Sequence, residues 1–307
     1  MRSITDAVFH DEDKAREFLE KQRWPNGVVC PYCNSGERVT KLGGKSMGPG
    51  WYHCNACEQE KFTVRTGSVM ERSHVPLAKW ALAFRLFAAS KKGMSSKQLQ
   101  RMLGVSYKTA WFIGHRIREA MKPAADAEPV GGKGQVVEAD ETFVGGKKKN
   151  VHNGKPEPKK HAVHVLVERG GKMRAKHVAD VTAKTLRQNL EDMASKKSEL
   201  HTDESLAYYW IGREFAKHRT VNHSQDEYFT DGAGIQTAEA FFAILKRGVM
   251  GSFHSVSEQH LQRYVDEFVF RWNTRSKLGV EDAERAELMF KAAIGKRLTY
   301  RPPHEGA

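Results

Sequence analysis

Val136-Val137-Glu138-Ala139-Asp140-Glu141-Thr142-Phe143-Val144 alternates with the two-residue period of a strand, setting Glu138, Asp140 and Thr142 on one face and Glu141 on the other. Neighbouring carboxylates at a strand centre are costly unless a cation offsets them. Upstream, 123–135 contains two prolines and a Gly-Gly-Lys-Gly run, and reads as a linker. Downstream, 161–168, a Gly170-Gly171 turn and 173–181 extend the strand into a hairpin. A helix over 183–193 follows, with Thr182 as its N-cap. Residues 199–203 form a short strand ending in Asp203, and 219–223 form another. The next helix opens at Thr237, its expected cap, with Glu239 and Lys246 on a shared face and Phe242 and Leu245 packing inward.

Three antiparallel strands, a helix, a strand, a helix and a strand follow the order of the RNase H-like fold, an α/β architecture with helices flanking a mixed sheet. In that order the acids of the first and fourth strands become neighbours, although 62 residues separate Asp140 from Asp203. A further 35 residues lie between Asp203 and Glu239. Since the chain carries 37 acidic residues, spacing alone is equally compatible with ordinary surface carboxylates. Glu138 and Glu141 are possible auxiliary ligands, with Glu141 expected to be solvated or salt-bridged on the opposite face. His161 and His164 are an odd number apart on one strand and cannot grip one metal together. His223, His254 and the pair Tyr208-Tyr209 read as structural groups.

All four cysteines lie in one window, as Cys30-Pro-Tyr-Cys33 and Cys54-Asn-Ala-Cys57, with twenty residues between the pairs. Each two-residue spacer lets both sulfurs reach one ion, so the pattern favours a structural Zn²⁺ in a zinc ribbon. A disulfide framework and a redox pair are the alternatives, the first disfavoured in a reducing compartment and the second lacking its βαβ context. A closed four-thiolate site serves folding and docking, since it keeps no position for substrate.

From Pro76 the period becomes helical, with Trp80, Phe84 and Phe87 on one face. A second helix over 96–103, a Gly104-Val105-Ser106 turn and a third helix from Tyr107 to about Met121 read as helix-turn-helix. On the last helix Ala110, Ile113, Ile117 and Met121 form the core stripe. Lys108, Trp111, His115, Arg118 and Lys122 form a second, basic and aromatic stripe. Residues 91–122 hold eight Lys or Arg against one Glu, which makes that stripe the expected DNA face; a solvated bundle surface is the alternative. Lys147-Lys148-Lys149 with Lys155, Lys159 and Lys160 is a basic loop beside the acids, a solvated surface or a guide for DNA. A last long helix over 257–272 packs Leu261, Tyr264, Val265 and Phe268.

The chain has 307 residues, 39% hydrophobic and 28% charged, enough for two or three compact units and too apolar for a disordered tail. Fifty Lys plus Arg against 37 Asp plus Glu leave a net charge of +13, which favours a polyanionic partner through counterion release. No run approaches the roughly 18–20 apolar residues of a membrane span, and no signal-peptide core opens the sequence. A cytoplasmic, nucleoid-associated protein with no membrane partner is expected. Its segments read as an N-terminal helix and zinc ribbon (1–72), a helix-turn-helix segment (73–122), a linker (123–135), an RNase H-like domain (136–278) and a C-terminal helix and tail (279–307).

These motifs together resemble the insertion-sequence DDE transposases of family fifteen-ninety-five, which join a zinc ribbon to an ISXO-like transposase domain. The matching stretches include both cysteine pairs, Glu138-Ala-Asp-Glu-Thr142 with Gly145-Gly146, His201-Thr-Asp203, Val221-Asn-His-Ser224, Glu239 with Leu245-Lys-Arg-Gly248, and 260–273. The resemblance implies metal-dependent cutting of element ends in double-stranded DNA and joining of the freed 3′-hydroxyls to a target. It implies Mg²⁺ or Mn²⁺ held by Asp140 as bridging ligand, Asp203 on one ion and Glu239 on the other, with Lys246 on the DNA. A homodimer or higher assembly on paired ends follows from that task. Whether Glu239 or a neighbour completes the acid set is open, as are the terminal repeat, the target preference and the choice between cut-and-paste and copying. An inactive DNA-binding regulator of the same architecture and a structure-specific RNase H-like nuclease are the rival readings.

Overall fold

The computed structural model describes residues 3–44, 47–57, 59, 61–146, 159–221 and 232–299. Two compact units emerge, one of Met1–Met121 with Val280–Ala307 and one of Lys122–Gly279.

The first unit opens with α1 (Glu12–Arg23), whose N-cap Asp11 accepts from the backbone N–H of Asp13 and Lys14, both at 2.9 Å. A two-stranded ribbon follows, β1 (Val39–Leu42) antiparallel to β2 (Trp51–Cys54), with Tyr52 bridged to Phe62. Trp24, Tyr52 and Phe62 form an aromatic cluster beneath it. Three helices come next: α2 (Leu77–Ala89), α3 (Ser96–Leu103) and α4 (Tyr107–Met121). The α3–α4 turn is built as its sequence requires, with Gly104 left-handed at φ 59° and Ser106 Oγ accepting from Thr109 N–H.

The C-terminal helix α9 (Asp282–Lys291) belongs to this unit as well. Phe290 meets Phe84 edge-on at 5.9 Å, and the Arg285 guanidinium donates to Ala88 O at 2.9 Å. The reason lies in α2, where Leu77, Ala78, Trp80, Ala81, Ala83, Phe84, Phe87 and Ala88 are all buried. A helix apolar around so much of its circumference needs cover from several sides.

The second unit is a five-stranded sheet of β3 (Val136–Gly145), β4 (Lys160–Glu168), β5 (Met173–Val178), β6 (Glu199–Thr202) and β7 (Lys217–Thr220), in the order β5-β4-β3-β6-β7. The first three strands run antiparallel; β6 is parallel to β3 and β7 to β6. This is the RNase H-like order. Helices α5 (Ala183–Met193), α6 (Tyr209–Gly212), α7 (Gln236–Gly248) and α8 (Glu258–Asn273) complete the unit. Val144, Val163, Val165, Val167 and Met173 pack under α7 and α8 on one face. Val137, Ala139 and Leu166 pack under α5, Tyr208 and Ile211 on the other. β7 ends at Thr220, short of the expected 223. His223, Asn222 and Ser224, and Lys147, Lys148, Lys149 and Lys155 of the basic loop, lie outside the described residues.

Thr237 does not cap α7, which begins one residue earlier. Buried Glu138 does so from across the unit, accepting from the backbone N–H of Thr237 (2.7 Å) and Ala238 (3.1 Å) and from Thr237 Oγ1 (2.8 Å). An anion at a helix N-terminus satisfies orphan donors and complements the dipole. Arg169 completes the cluster, its Nε donating to Glu138 at 3.0 Å and its Nη atoms to Gly232 O and Gly234 O. The start of α7 is thereby tied to the central strand.

Candidate active site

Parallel pairing sets Glu138 opposite His201, so Asp140 and Asp203, each two residues further on, emerge side by side where β6 ends. Asp140, Glu141 and Asp203 each present a carboxylate oxygen, and these atoms lie within 4.8 Å of one another. Two of the three expected acids are therefore brought together.

The third member of this grouping is Glu141, one of the possible auxiliary ligands, and not Glu239. Glu239 stands in the exposed first turn of α7, outside the 4.8 Å grouping, although its charge is felt at Asp140. Glu141 lies on the face opposite Asp140, as alternation has it, but is largely buried there and not solvated, with a carboxylate oxygen inside the grouping. Tyr208, which packs on that face with Val137 and Ala139, donates to it. Lys246 is exposed two turns along α7 from Glu239.

Burial, followed by the neighbouring charges of Glu141, Asp203 and Glu239, pushes the Asp140 carboxyl up to about 7, against the N–H of Glu141 donating to it at 2.7 Å. Burial and Asp203 likewise raise Glu141 to about 7, opposed by the Tyr208 hydroxyl that donates to its carboxylate. Tyr208 also meets His164 Nε2 at 3.2 Å, and His164 Nδ1 meets Asn189 Nδ2 at 3.4 Å. Burial, then Lys176, depresses His164 to about 3, so its ring is neutral. With Asn189 donating to Nδ1, the proton sits on Nε2 and points at Tyr208. The order of donors therefore runs from Asn189 through His164 and Tyr208 to Glu141. Tyr208 is thus more than the packing group its sequence position suggests.

Asp140 and Glu141 are desolvated with half-buried Asp203 beside them, and such hard oxygen donors suit Mg²⁺ or Mn²⁺. Opposite ligands of an octahedral Mg²⁺ stand about 4.2 Å apart, so oxygens within 4.8 Å of one another need to close by no more than about 0.6 Å to share one ion. The four cysteines pass a sharper test. Cys30 and Cys57 sulfurs are 3.7 Å apart, as are those of Cys33 and Cys54. A tetrahedron with Zn–S bonds of about 2.3 Å has edges of about 3.8 Å. The backbone N–H groups of Ala56 and Cys57 lower the Cys54 thiol to about 7, while, against the Gln59 N–H, burial and the other three sulfurs push Cys57 up to about 12.

Residues 131–273 match the family model described as the ISXO2-like transposase domain, and 10–60 match the transposase zinc-ribbon domain. An uncharacterized protein in transposable element ISH50 of Halobacterium salinarum is 30% identical over 292 residues, covering 89% of this chain and 95% of that one. The chain belongs to the ISXO2-like transposase family. Two solved structures also align with this transposase at 14% identity, each over 71% of it and 79% of the other chain. They are the Mos1 strand transfer complex, with a TM-score of 0.28, and the Mos1 transposase paired-end complex with left transposon end, with a TM-score of 0.26.

The transposase's helix-turn-helix face differs from the stripe read from sequence. His115 and Arg118 are fully buried and present no surface. The Arg118 guanidinium lies 5.5 Å from the Phe87 ring centre, its Nη2 donating to Met94 O at 3.4 Å. α4 packs against α2, α3 and α9, so the flank carrying these two residues is enclosed. Lys108 is exposed and Trp111 half-buried; both line a cleft of about 660 Å³ with Arg72, His74 and Arg116. Arg72 and His74 precede α2 and bear no periodic relation to α4, so helical periodicity could not find them. Lys122 is exposed and begins the second unit. Among the described residues no helix is long and apolar enough to cross a membrane.

Proposed function

We propose that this transposase cuts the ends of its element and joins the freed 3′-hydroxyls to target DNA at the carboxylate site of the sheet. The observation that carries the proposal is the meeting of Asp140, Glu141 and Asp203 oxygens within 4.8 Å. Asp140 and Asp203 would hold the Mg²⁺ or Mn²⁺ ions, with the third acid supplied by Glu141 or, on closure around DNA, by Glu239. Bound there, such ions would lower the pKa of an attacking hydroxyl or water and stabilise the leaving oxygen. The chain's own groups set the conditions: Tyr208 orients Glu141 by donating to it, and Glu138 fixes the start of α7 and with it Glu239. Lys246, on the exposed side of α7, supplies a point charge for phosphate. The cleft bearing Lys108, Trp111, Arg72 and His74 contacts double-stranded DNA, Lys122 adds a phosphate contact, and the zinc ribbon docks on DNA or a partner. Two element ends call for at least a dimer on DNA.

The test is strand transfer with Mg²⁺ or Mn²⁺ on oligonucleotides carrying the element's flanking ends. Asp140→Asn and Asp203→Asn lose cleavage and joining by at least about 10²-fold, the scale of removing one preorganised group, while DNA binding persists. The ranking of Glu141→Gln against Glu239→Gln identifies the third acid. Equal products from wild type and Asp140→Asn would refute the proposal; cutting without joining would make the protein a nuclease.

A further inference from the structure

A second cluster of metal-ligating groups lies on the same unit, apart from the acids. His161 of β4, His177 of β5 and Glu258 of α8 each present a ligand atom, all within 4.8 Å of one another. Register explains the two imidazoles: His177 pairs with Val163, and His161 is two residues from Val163, so both side chains share one face. The rings stand 5.7 Å apart, edge to face. β5 is the outermost strand, which places them at the rim of the sheet.

The third group is positioned by hydrogen bonds. Gln262 clamps α8 to β5, its Oε1 accepting from His177 N–H at 2.7 Å and its Nε2 donating to Ala175 O at 3.3 Å. Asp266 accepts from the same amide at 2.8 Å and fixes its orientation. Glu258 is one turn earlier on the helix, so this clamp points its carboxylate at the imidazoles, 3.7 Å from His161 Nδ1. A plain ion pair would need only one histidine. Burial, then His161, holds His177 below its ordinary range, in the neutral form that ligates metal.

We infer that His161, His177 and Glu258 form a second metal site of the zinc class, an open three-ligand centre that clasps the edge strand β5 and β4 to the start of α8. Two imidazoles and one carboxylate suit Zn²⁺ over Mg²⁺, which prefers oxygen, and three protein ligands leave a position for water.

The test uses the full chain carrying Asp140→Asn, with its ribbon loaded and Mg²⁺ in excess, so that Zn²⁺ does not report on the acid site. Equilibrium dialysis should find a second equivalent of Zn²⁺ beyond the ribbon's. Co²⁺ at that site should give weak visible bands without the thiolate charge transfer of the ribbon. His161→Asn, His177→Asn and Glu258→Gln should each weaken the second equivalent by more than about 10²-fold while the ribbon's remains. Glu258 is exposed, so its variant keeps the test valid if a histidine variant misfolds. A single equivalent in the parent chain, or a second equivalent unchanged in Glu258→Gln and a folded histidine variant, overturns the inference.

Discussion

Replacing Glu138 by Gln keeps the shape of the side chain and removes its charge, at a place where charge organises the unit. The carboxylate is 1% exposed and accepts from four donors: Arg169 Nε, Thr237 Oγ1 and the backbone N–H groups of Thr237 and Ala238. Oε1 takes the first two and Oε2 the backbone pair. Whichever way a glutamine amide is turned, its NH₂ faces at least one donor that cannot accept. Breaking a buried pair by removing one partner costs about 3–5 kcal/mol. The Arg169 side chain is 35% exposed, so water can compensate its loss and the cost falls near the lower end, about 3 kcal/mol. With a urea slope of about 2 kcal/mol/M, the unfolding midpoint of the second unit should drop by about 1.5 M. Hydrogen exchange of 236–248 should rise more than that of the central strand, because the first turn of α7 loses its cap. A midpoint shift under about 0.3 M, with unchanged exchange in α7, would refute the assignment of Glu138 as a remote cap.

The raised carboxyls carry a pH signature. Asp140 and Glu141 hold protons up to about 7 in the folded chain and only to about 4 when unfolded, so the folded state binds more protons in that window. Without Mg²⁺, melting temperature should therefore fall as pH rises from about 5 to 8. Mg²⁺ should restore it at the upper end, and the double variant Asp140→Asn, Glu141→Gln should flatten the profile. A metal-free wild type whose melting temperature rises over this range relative to that variant would contradict the crowding. On α4 the two kinds of basic residue should separate cleanly. Arg118→Ala should lower stability by about 2–3 kcal/mol through lost packing and hydrogen bonding, visible in urea melts. Lys108→Ala should leave stability unchanged and reduce the salt slope of DNA binding by about one.

Periodic and short-range information was legible in the chain. The alternation over 136–144, the order of strands and helices, and the paired Cys-x-x-Cys knuckles each follow from local geometry that the backbone repeats. Even the meeting of Asp140 with Asp203 was readable, because a parallel pairing of the first and fourth strands carries both acids to one end of the sheet. What periodicity names is a face; it does not say which remote element covers that face. Arg118 and His115 lie on a stripe as regular as a binding surface, and the packing of α4 among α2, α3 and α9 encloses them. Alternation likewise placed Glu141 on the face opposite Asp140, but could not say that Tyr208 would bury its carboxylate there within reach of Asp140 and Asp203. Composition, repeat and connectivity thus determined by themselves the architecture and two of the acids. Tertiary structure alone decided the cap of α7, the third carboxylate in the cluster and the union of His161, His177 and Glu258, because each depends on where a distant helix or strand end comes to rest.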